Sequence, residues 1–160
     1  MMSQDKTVVF SNKNDVVSFI SANLDNPTPM KISKSFYLIW AYYSATYGQL
    51  DEYPDLLCDA SFLALKYGPT DEDVLKNIKS IDKLPNIDEA DMTYTTDASQ
   101  SKNVSLFMKN LLSQIDKIDE FAIMVRTHED KSWSDMYVEN EQHVMNNAAI
   151  IEEYSHKINL

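Results

Sequence analysis

Histidine and cysteine, the residue types most typical of zinc sites and nucleophilic catalysis, are few in this chain, and their spacing matches no known site. The candidates are the histidines His128, His143 and His156 and the single cysteine, Cys58. None of the histidines stands in a His-Glu-x-x-His pattern or pairs with the cysteine at a zinc-finger spacing. A lone cysteine in an apolar stretch is usually a buried small hydrophobic residue. These residues therefore predict no metal site.

The densest polar group is the triplet His128-Glu129-Asp130. Its side chains could bind a metal in principle, but adjacent residues on a chain rarely point the same way. The alternative is a histidine whose ring bonds to backbone at a helix end. Glu139 and His143 have the spacing of an exposed pair one helical turn apart.

The sequence also lacks a Walker loop, a Gly-x-Ser-x-Gly elbow and a dinucleotide-binding glycine pattern. Its carboxylates are numerous, but they follow no catalytic spacing. We therefore predict no catalytic residue and no cofactor, and we expect a binding protein rather than an enzyme. An unrecognised enzyme centred on His128 stays as an alternative.

Charge in this chain is strongly negative and uneven. The formal net charge is -11, and residues 48–99 hold twelve acidic residues against four lysines, about eight of the eleven net charges. Such a surface repels phosphate backbones, so direct nucleic-acid binding is disfavoured. It would attract a basic protein partner, although acidity can also serve solubility alone.

The elements that must position these residues are mainly helical. Helices are predicted from residue 14, with Asn12 or Asn14 as the N-cap, and over residues 29–47, 101–118, 120–127 and 141–157. Helix 29–47 is rich in aromatic residues and is expected to be the central helix, capped by Thr28 and ended by Gly48. Its aromatic residues are interleaved with few basic ones, which favours core packing over base stacking.

The region from residue 56 to residue 78 is less clear. Residues 56–67 alternate as a short strand would, but helix is also tolerated, so we expect one small strand pair there. Thr70 and Asp73 match a capping box for a following helix, with Val74, Ile78 and Ile81 as its buried stripe. The fold class is thus mainly α, a compact single domain (1–160) of five or six helices.

Compartment and membrane association follow from simple features. The chain opens without the basic and apolar regions of a secretory signal, and its longest apolar run is too short to span a bilayer. A single cysteine excludes an internal disulfide. We expect a cytoplasmic protein with no membrane contact.

Three blocks of sequence, in order, resemble the Panacea domain, the SocA-like domain of phages and mobile elements. They are residues 28–37 (TPMKISKSFY), 64–70 (ALKYGPT) and 127–133 (THEDKSW). Thr70 and Ser132 depart from the family pattern, as do Ser33, Ser35 and Phe36. The positions that match family motifs, with structural or binding roles, are Tyr37, Tyr67, Gly68, Pro69, Thr127, His128 and Trp133.

The resemblance implies an antitoxin-like protein that neutralises a toxin encoded next to it by direct contact, with a protease-adaptor role as one form of this activity. The candidate partner-facing residues lie in or next to the polar segment 83–99, which we expect to be a long loop: Asp82, Asp88, Glu89, Asp91 and Asp97. The alternative function is a phage or mobile-element protein that inhibits a host nuclease or defence system through its acidic surface.

Overall fold

The computed structural model of the protein describes residues 8–78 and 94–158. These residues form seven α-helices, a short 3-10 helix (Tyr47–Gln49) and one small antiparallel sheet. The elements, in chain order, are α1 (Lys13–Ala22), α2 (Pro29–Thr46), β1 (Leu63–Leu65), β2 (Gly68–Thr70), α3 (Glu72–Ile78), α4 (Ala98–Asp116), α5 (Glu120–His128), α6 (Lys131–Ser134), β3 (His143–Val144) and α7 (Asn147–Ile158). The mainly α class is confirmed. The expected five or six helices were too few, since the four residues of α6 are too short to show a periodicity.

The first two helices begin where the sequence predicts. The side chain of Asn12 accepts a hydrogen bond from the backbone N–H of Asn14, and Thr28 accepts one from that of Lys31. Pro29 occupies the first turn of α2, where its missing N–H leaves no hydrogen bond unmade. Local side-chain chemistry therefore sets both starting points.

The end of α2 differs from the prediction. Gly48 was expected to end the helix as the residue after its C-cap, but the chain continues through it as a 3-10 turn. Among the described glycines, positive φ occurs at Gly68 instead. Gly48 is needed for space, because a Cβ there would collide with the backbone carbonyl of Asp55.

Helix α2 packs against α1, α3, α4, α5, α7 and β2. Every residue from Lys31 to Ala41 is buried, including the polar ones. The largest enclosed side chains of the described core come mainly from this helix, among them Trp40, Tyr37 and Tyr43. Because a helix buried on all sides has no solvated face, each of its polar groups needs a partner inside the protein.

The sheet has the order β2-β1-β3, and both pairings are antiparallel. A tight turn at Lys66 and Tyr67 joins β1 to β2, and Leu65 faces Gly68 across the pair. The expected strand is thus present in its last part, but its partners lie outside residues 56–67. β3 pairs Val144 with Leu63.

This third strand corrects two predictions about the C-terminal region. The last helix begins at Asn147 rather than at residue 141, because His143 is paired in the sheet. Glu139 and His143 are therefore not neighbours on a helix. The imidazole Nε2 of His143 lies 2.6 Å from the carboxylate of Glu141 instead.

The start of α3 also corrects the sequence analysis. Thr70 lies in β2, and the buried carboxylate of Asp71 takes the capping role by accepting hydrogen bonds from the backbone N–H groups of Asp73 and Val74. The same carboxylate accepts from Lys13 Nζ at 3.0 Å. Val74 and Ile78 are buried as expected, and Ile81 lies outside the described residues.

In the part of the chain that the structure describes, no helix is both long enough and apolar enough to cross a membrane.

Replacing Gly68 by alanine is expected to destabilise the fold by at least about 2 kcal/mol. Its φ of +104° disfavours any side chain, and an added Cβ would lie 2.6 Å from Thr127 Oγ1. Chemical denaturation of Gly68→Ala measures the loss. In a Thr127→Ala background the steric part of the cost disappears, so Gly68→Ala should cost less there. Equal costs in both backgrounds would contradict the close-contact explanation.

Candidate functional site

The three sequence blocks meet at one place in the fold, where α2 faces the β1–β2 turn and the junction of α5 with α6. Lys34 Nζ donates to the carbonyl of Pro69 at 2.9 Å, and the Tyr37 hydroxyl donates to Asp130 at 2.6 Å. The indole N–H of Trp133 donates to the carbonyl of Leu65 at 2.8 Å. We call the contacting group of residues the motif cluster: Lys34, Tyr37, Leu65, Gly68, Pro69, Thr127, His128, Asp130 and Trp133.

Lys34 is the most unusual member of the motif cluster. Its side chain is enclosed, with 2% of the residue exposed, and its Nζ donates to Pro69 O and to Thr70 Oγ1. Neither acceptor carries a charge. Burial consequently lowers the pKa of Lys34 to about 7, because a buried ammonium is costly when its partners are neutral.

Asp130 forms the second polar contact of the cluster. Its fully buried carboxylate accepts hydrogen bonds from Tyr37 (2.6 Å), Tyr154 (2.5 Å) and Lys157 Nζ (3.1 Å). Burial, and after it the charge of Asp130, raises the pKa of Tyr37. Burial, and after it the neighbouring Tyr37 and Asp130, raises the pKa of Tyr154. Both hydroxyls thus remain protonated donors, and the carboxylate joins α2 and α7 to the start of α6.

Because the Asp130 carboxylate points inward, another residue binds the N-terminal backbone of α6. The carboxylate of Glu153, on α7, accepts hydrogen bonds from the N–H groups of Lys131 at 2.7 Å and Ser132 at 2.9 Å. This contact replaces a local cap with one from a distant part of the chain. The α6–α7 packing therefore depends on it.

An aromatic stack forms the outer side of the motif cluster. The His128 ring lies 4.5 Å from that of Trp133, and Trp133 lies 4.8 Å from Tyr137, each pair stacked. Within the described residues the Nε2 atom of His128 is buried without a hydrogen-bond partner. The described residues contain no group of three metal-binding side chains. Since Asp130 is turned toward Tyr37, His128 and Asp130 do not converge on one point.

The sequence-predicted motif residues divide by burial. Tyr37, Gly68, Pro69 and Thr127 are buried, and His128 and Trp133 are half-buried. Tyr67 alone among them is exposed, at 56%. Side chains that solvent does not reach cannot contact a partner, so the first four serve as scaffold.

The structure adds three residues whose part in this site the sequence analysis missed: Lys34, Asp130 and Tyr154. Lys34 and Tyr37 lie one turn apart on α2. A lysine within such an apolar helix indicates a buried polar contact, so the sequence could have revealed Lys34. Tyr154 carried no such signal, because it enters the cluster from α7 and its partner Asp130 is 24 residues away.

The acidic candidates are placed only in part. Asp82, Asp88, Glu89 and Asp91 lie outside the described residues. Asp97 is exposed and caps α4, since its side chain accepts a hydrogen bond from the N–H of Gln100 at 2.8 Å. The expected loop 83–99 does not extend to its predicted end, because α4 begins at Ala98.

A separate surface of α5 is apolar although it faces solvent. Phe121 and Val125 lie one helical turn apart and are 65% and 45% exposed, and Ile118, just before the helix, is 43% exposed. We call Ile118, Phe121 and Val125 the apolar stripe. Beside it lies a groove of about 280 Å³, lined by Ile118 and by side chains of α2, α4 and α5. A helix with apolar residues on its exposed face as well as its buried one is typical of a contact surface.

Comparison of the chain with protein-family models, with curated proteins and with solved structures finds no match. The resemblance to the Panacea domain accordingly rests on the three sequence blocks alone, and it stays a prediction.

Lys34 should make the stability of the protein depend on pH between about 7 and 9. Below pH 7 the lysine is protonated in both states. Above pH 7 the folded protein releases the proton, while the unfolded chain, in which the lysine pKa is near its ordinary value of 10.5, keeps it. The free energy of unfolding should therefore rise with pH, by about 2 kcal/mol over two pH units.

Denaturation of the wild type and of Lys34→Met at pH 7, 8 and 9 measures this slope. Above pH 9 the window closes, because burial raises the pKa of Cys58 and of the tyrosines Tyr37 and Tyr154, and unfolding then releases their protons. The variant should lack the rise. A rise of the same size in Lys34→Met would assign it to another group.

Proposed function

We propose that this protein is an antitoxin-like binding protein that neutralises a toxin encoded next to it by direct contact. The observation that carries the proposal is the convergence of the three family-like blocks in the motif cluster. They are separated by 26 and 56 residues of sequence, yet Lys34, Pro69 and Thr127 surround one backbone position, Gly68. This supports a shared scaffold, from which the function follows only by analogy.

The chemistry of the motif cluster favours a binding role over catalysis. The Asp130 carboxylate is enclosed and bonded to Tyr37 and Tyr154, and the Lys34 ammonium is enclosed and bonded to Pro69 O and Thr70 Oγ1. Groups that are buried and already paired stabilise a fold. They are poorly placed to act on a substrate.

The apolar stripe supplies a contact surface of the kind that a protein partner needs. Exposed aromatic and aliphatic side chains gain most when a partner removes them from water. The net charge of -11 favours a basic partner and speeds its approach. We therefore propose that the stripe binds an apolar helix or segment of a basic toxin.

The acidic charge also supports a second candidate, inhibition of a host nuclease or defence protein. A nuclease surface that binds nucleic acid is basic, so the acidic charge fits this candidate as well. The two candidates differ in whether the partner is a host protein or a toxin encoded next to this protein. Delivery of the partner to a protease is a further form of the first proposal.

Growth of bacteria that express the adjacent open reading frame, with and without this protein, tests the proposal. Arrest by the neighbour and rescue by co-expression are the expected results, with a complex that co-purifies. A neighbour that leaves growth unaffected contradicts the paired-toxin proposal, and a pull-down from the native host then identifies the partner of the second candidate.

Replacing Phe121 or Val125 by aspartate should weaken rescue and reduce complex formation at least about fivefold, since loss of a central contact residue costs about 1 kcal/mol or more. Stability should change by less than about 0.5 kcal/mol, because both side chains are exposed. Leu106→Asp is the matched control, as Leu106 is 50% exposed on α4, twelve residues before Ile118. Full rescue by Phe121→Asp and Val125→Asp would place the contact elsewhere.

A further inference from the structure

A cavity of about 370 Å³ opens between the β1–β2 turn and the segment that precedes β3. Its lining includes Leu65, Lys66 and Tyr67 from the turn and Tyr137, Glu139 and Glu141 from the other side. The cavity touches the motif cluster through Leu65, whose carbonyl binds the Trp133 indole. Its volume lies at the lower end of ligand pockets, which suits a small group rather than a cofactor.

The two tyrosines give the cavity aromatic walls. Tyr137 is held in place, because its ring stacks on Trp133 at 4.8 Å and Trp133 is bonded to Leu65. Tyr67 is 56% exposed and lies in the tight turn between paired strands. Its ring is therefore available to solvent on a backbone that the sheet fixes.

The opposite wall is a defined turn that carries carboxylates. Asn140 has a φ of 66°, a left-handed conformation that asparagine tolerates, and the N–H of Glu141 donates to the carbonyl of Val138 at 3.0 Å. Glu139 and Glu141 flank Asn140 and are exposed. The turn thus presents negative charge beside the tyrosines before any ligand arrives.

A cation already lies near one of these rings. Lys66 Nζ is 5.8 Å from the centroid of the Tyr67 ring, at the distance of a cation–π contact. Lys66 and Tyr67 are adjacent in sequence, and the lysine is exposed. Two carboxylates against one ammonium leave the lining negative, so the site has capacity for a second cation.

We propose that this cavity binds the guanidinium group of an arginine side chain from a protein partner. A guanidinium is planar, stacks on aromatic rings and forms paired hydrogen bonds with a carboxylate, and these are the groups that the cavity offers. A lysine ammonium would use the rings and charge but not the paired geometry. The inference extends the proposed function by naming a chemical group of the partner.

The test titrates the uniformly ¹⁵N-labelled full chain with N-acetyl-arginine methylamide and follows amide chemical shifts. Saturable shifts should appear at Lys66, Tyr67 and residues 139–142. The citrulline analogue has the same shape without the charge, and its binding should be at least about fivefold weaker, since a cation–π contact contributes about 1 kcal/mol. Equal shifts with both probes, or shifts spread over the whole surface, would overturn the proposal.

Variants locate the site and separate it from the antitoxin proposal. Tyr67→Ala and Glu139→Gln should each weaken arginine binding several-fold, and Glu152→Gln, an exposed carboxylate on α7, should leave it unchanged. Equal weakening by Glu139→Gln and Glu152→Gln would indicate general charge attraction and contradict the site. The titration needs no toxin, so its failure is distinct from a failure of growth rescue.

Discussion

The contact between Lys34 Nζ and the carbonyl of Pro69, next to Gly68, is the interaction on which the rest of the structure depends. It joins the N-terminal half of the buried helix α2 to the β1–β2 hairpin, and Thr127 of α5 lies over the same glycine. Three elements therefore meet within contact of one backbone position that has no side chain. A side chain on Gly68 would collide with Thr127, whose Oγ1 would lie 2.6 Å from the added Cβ. This contact places a lysine in an apolar interior, and burial there disfavours its charged form and lowers its pKa.

Around this contact, buried polar side chains hold together the elements that carry the exposed surface. The Asp130 carboxylate accepts hydrogen bonds from Tyr37 on α2 and Tyr154 on α7. The Trp133 indole donates to the carbonyl of Leu65 in the β1–β2 hairpin. Buried polar networks of this kind are costly unless every member is paired, but they specify one arrangement of their elements. The backbone that carries exposed residues such as Tyr67 is thus held by contacts that are largely buried.

The sequence predicts the features that local chemistry decides. The cap at Thr28 could be identified, and the first cap could be narrowed to Asn12 or Asn14, because a capping side chain bonds to backbone two or three residues ahead. The start of α7 could not, because two residues of β3 pair with a strand 80 positions earlier. Gly48 was misinterpreted for a related reason. Its constraint is the carbonyl of Asp55, which a helix-ending pattern does not reveal.

The candidate site shows the same division more sharply. Tyr37 and Tyr67 belong to family-like blocks and looked alike in sequence, yet one is fully buried against Asp130 and the other is open to solvent. Burial is a property of the assembled elements, so a motif alone cannot separate scaffold from contact. The distinction has a functional consequence. A change at Tyr37 acts on the stability of the fold, whereas a change at Tyr67 alters an exposed face and leaves the buried contacts in place.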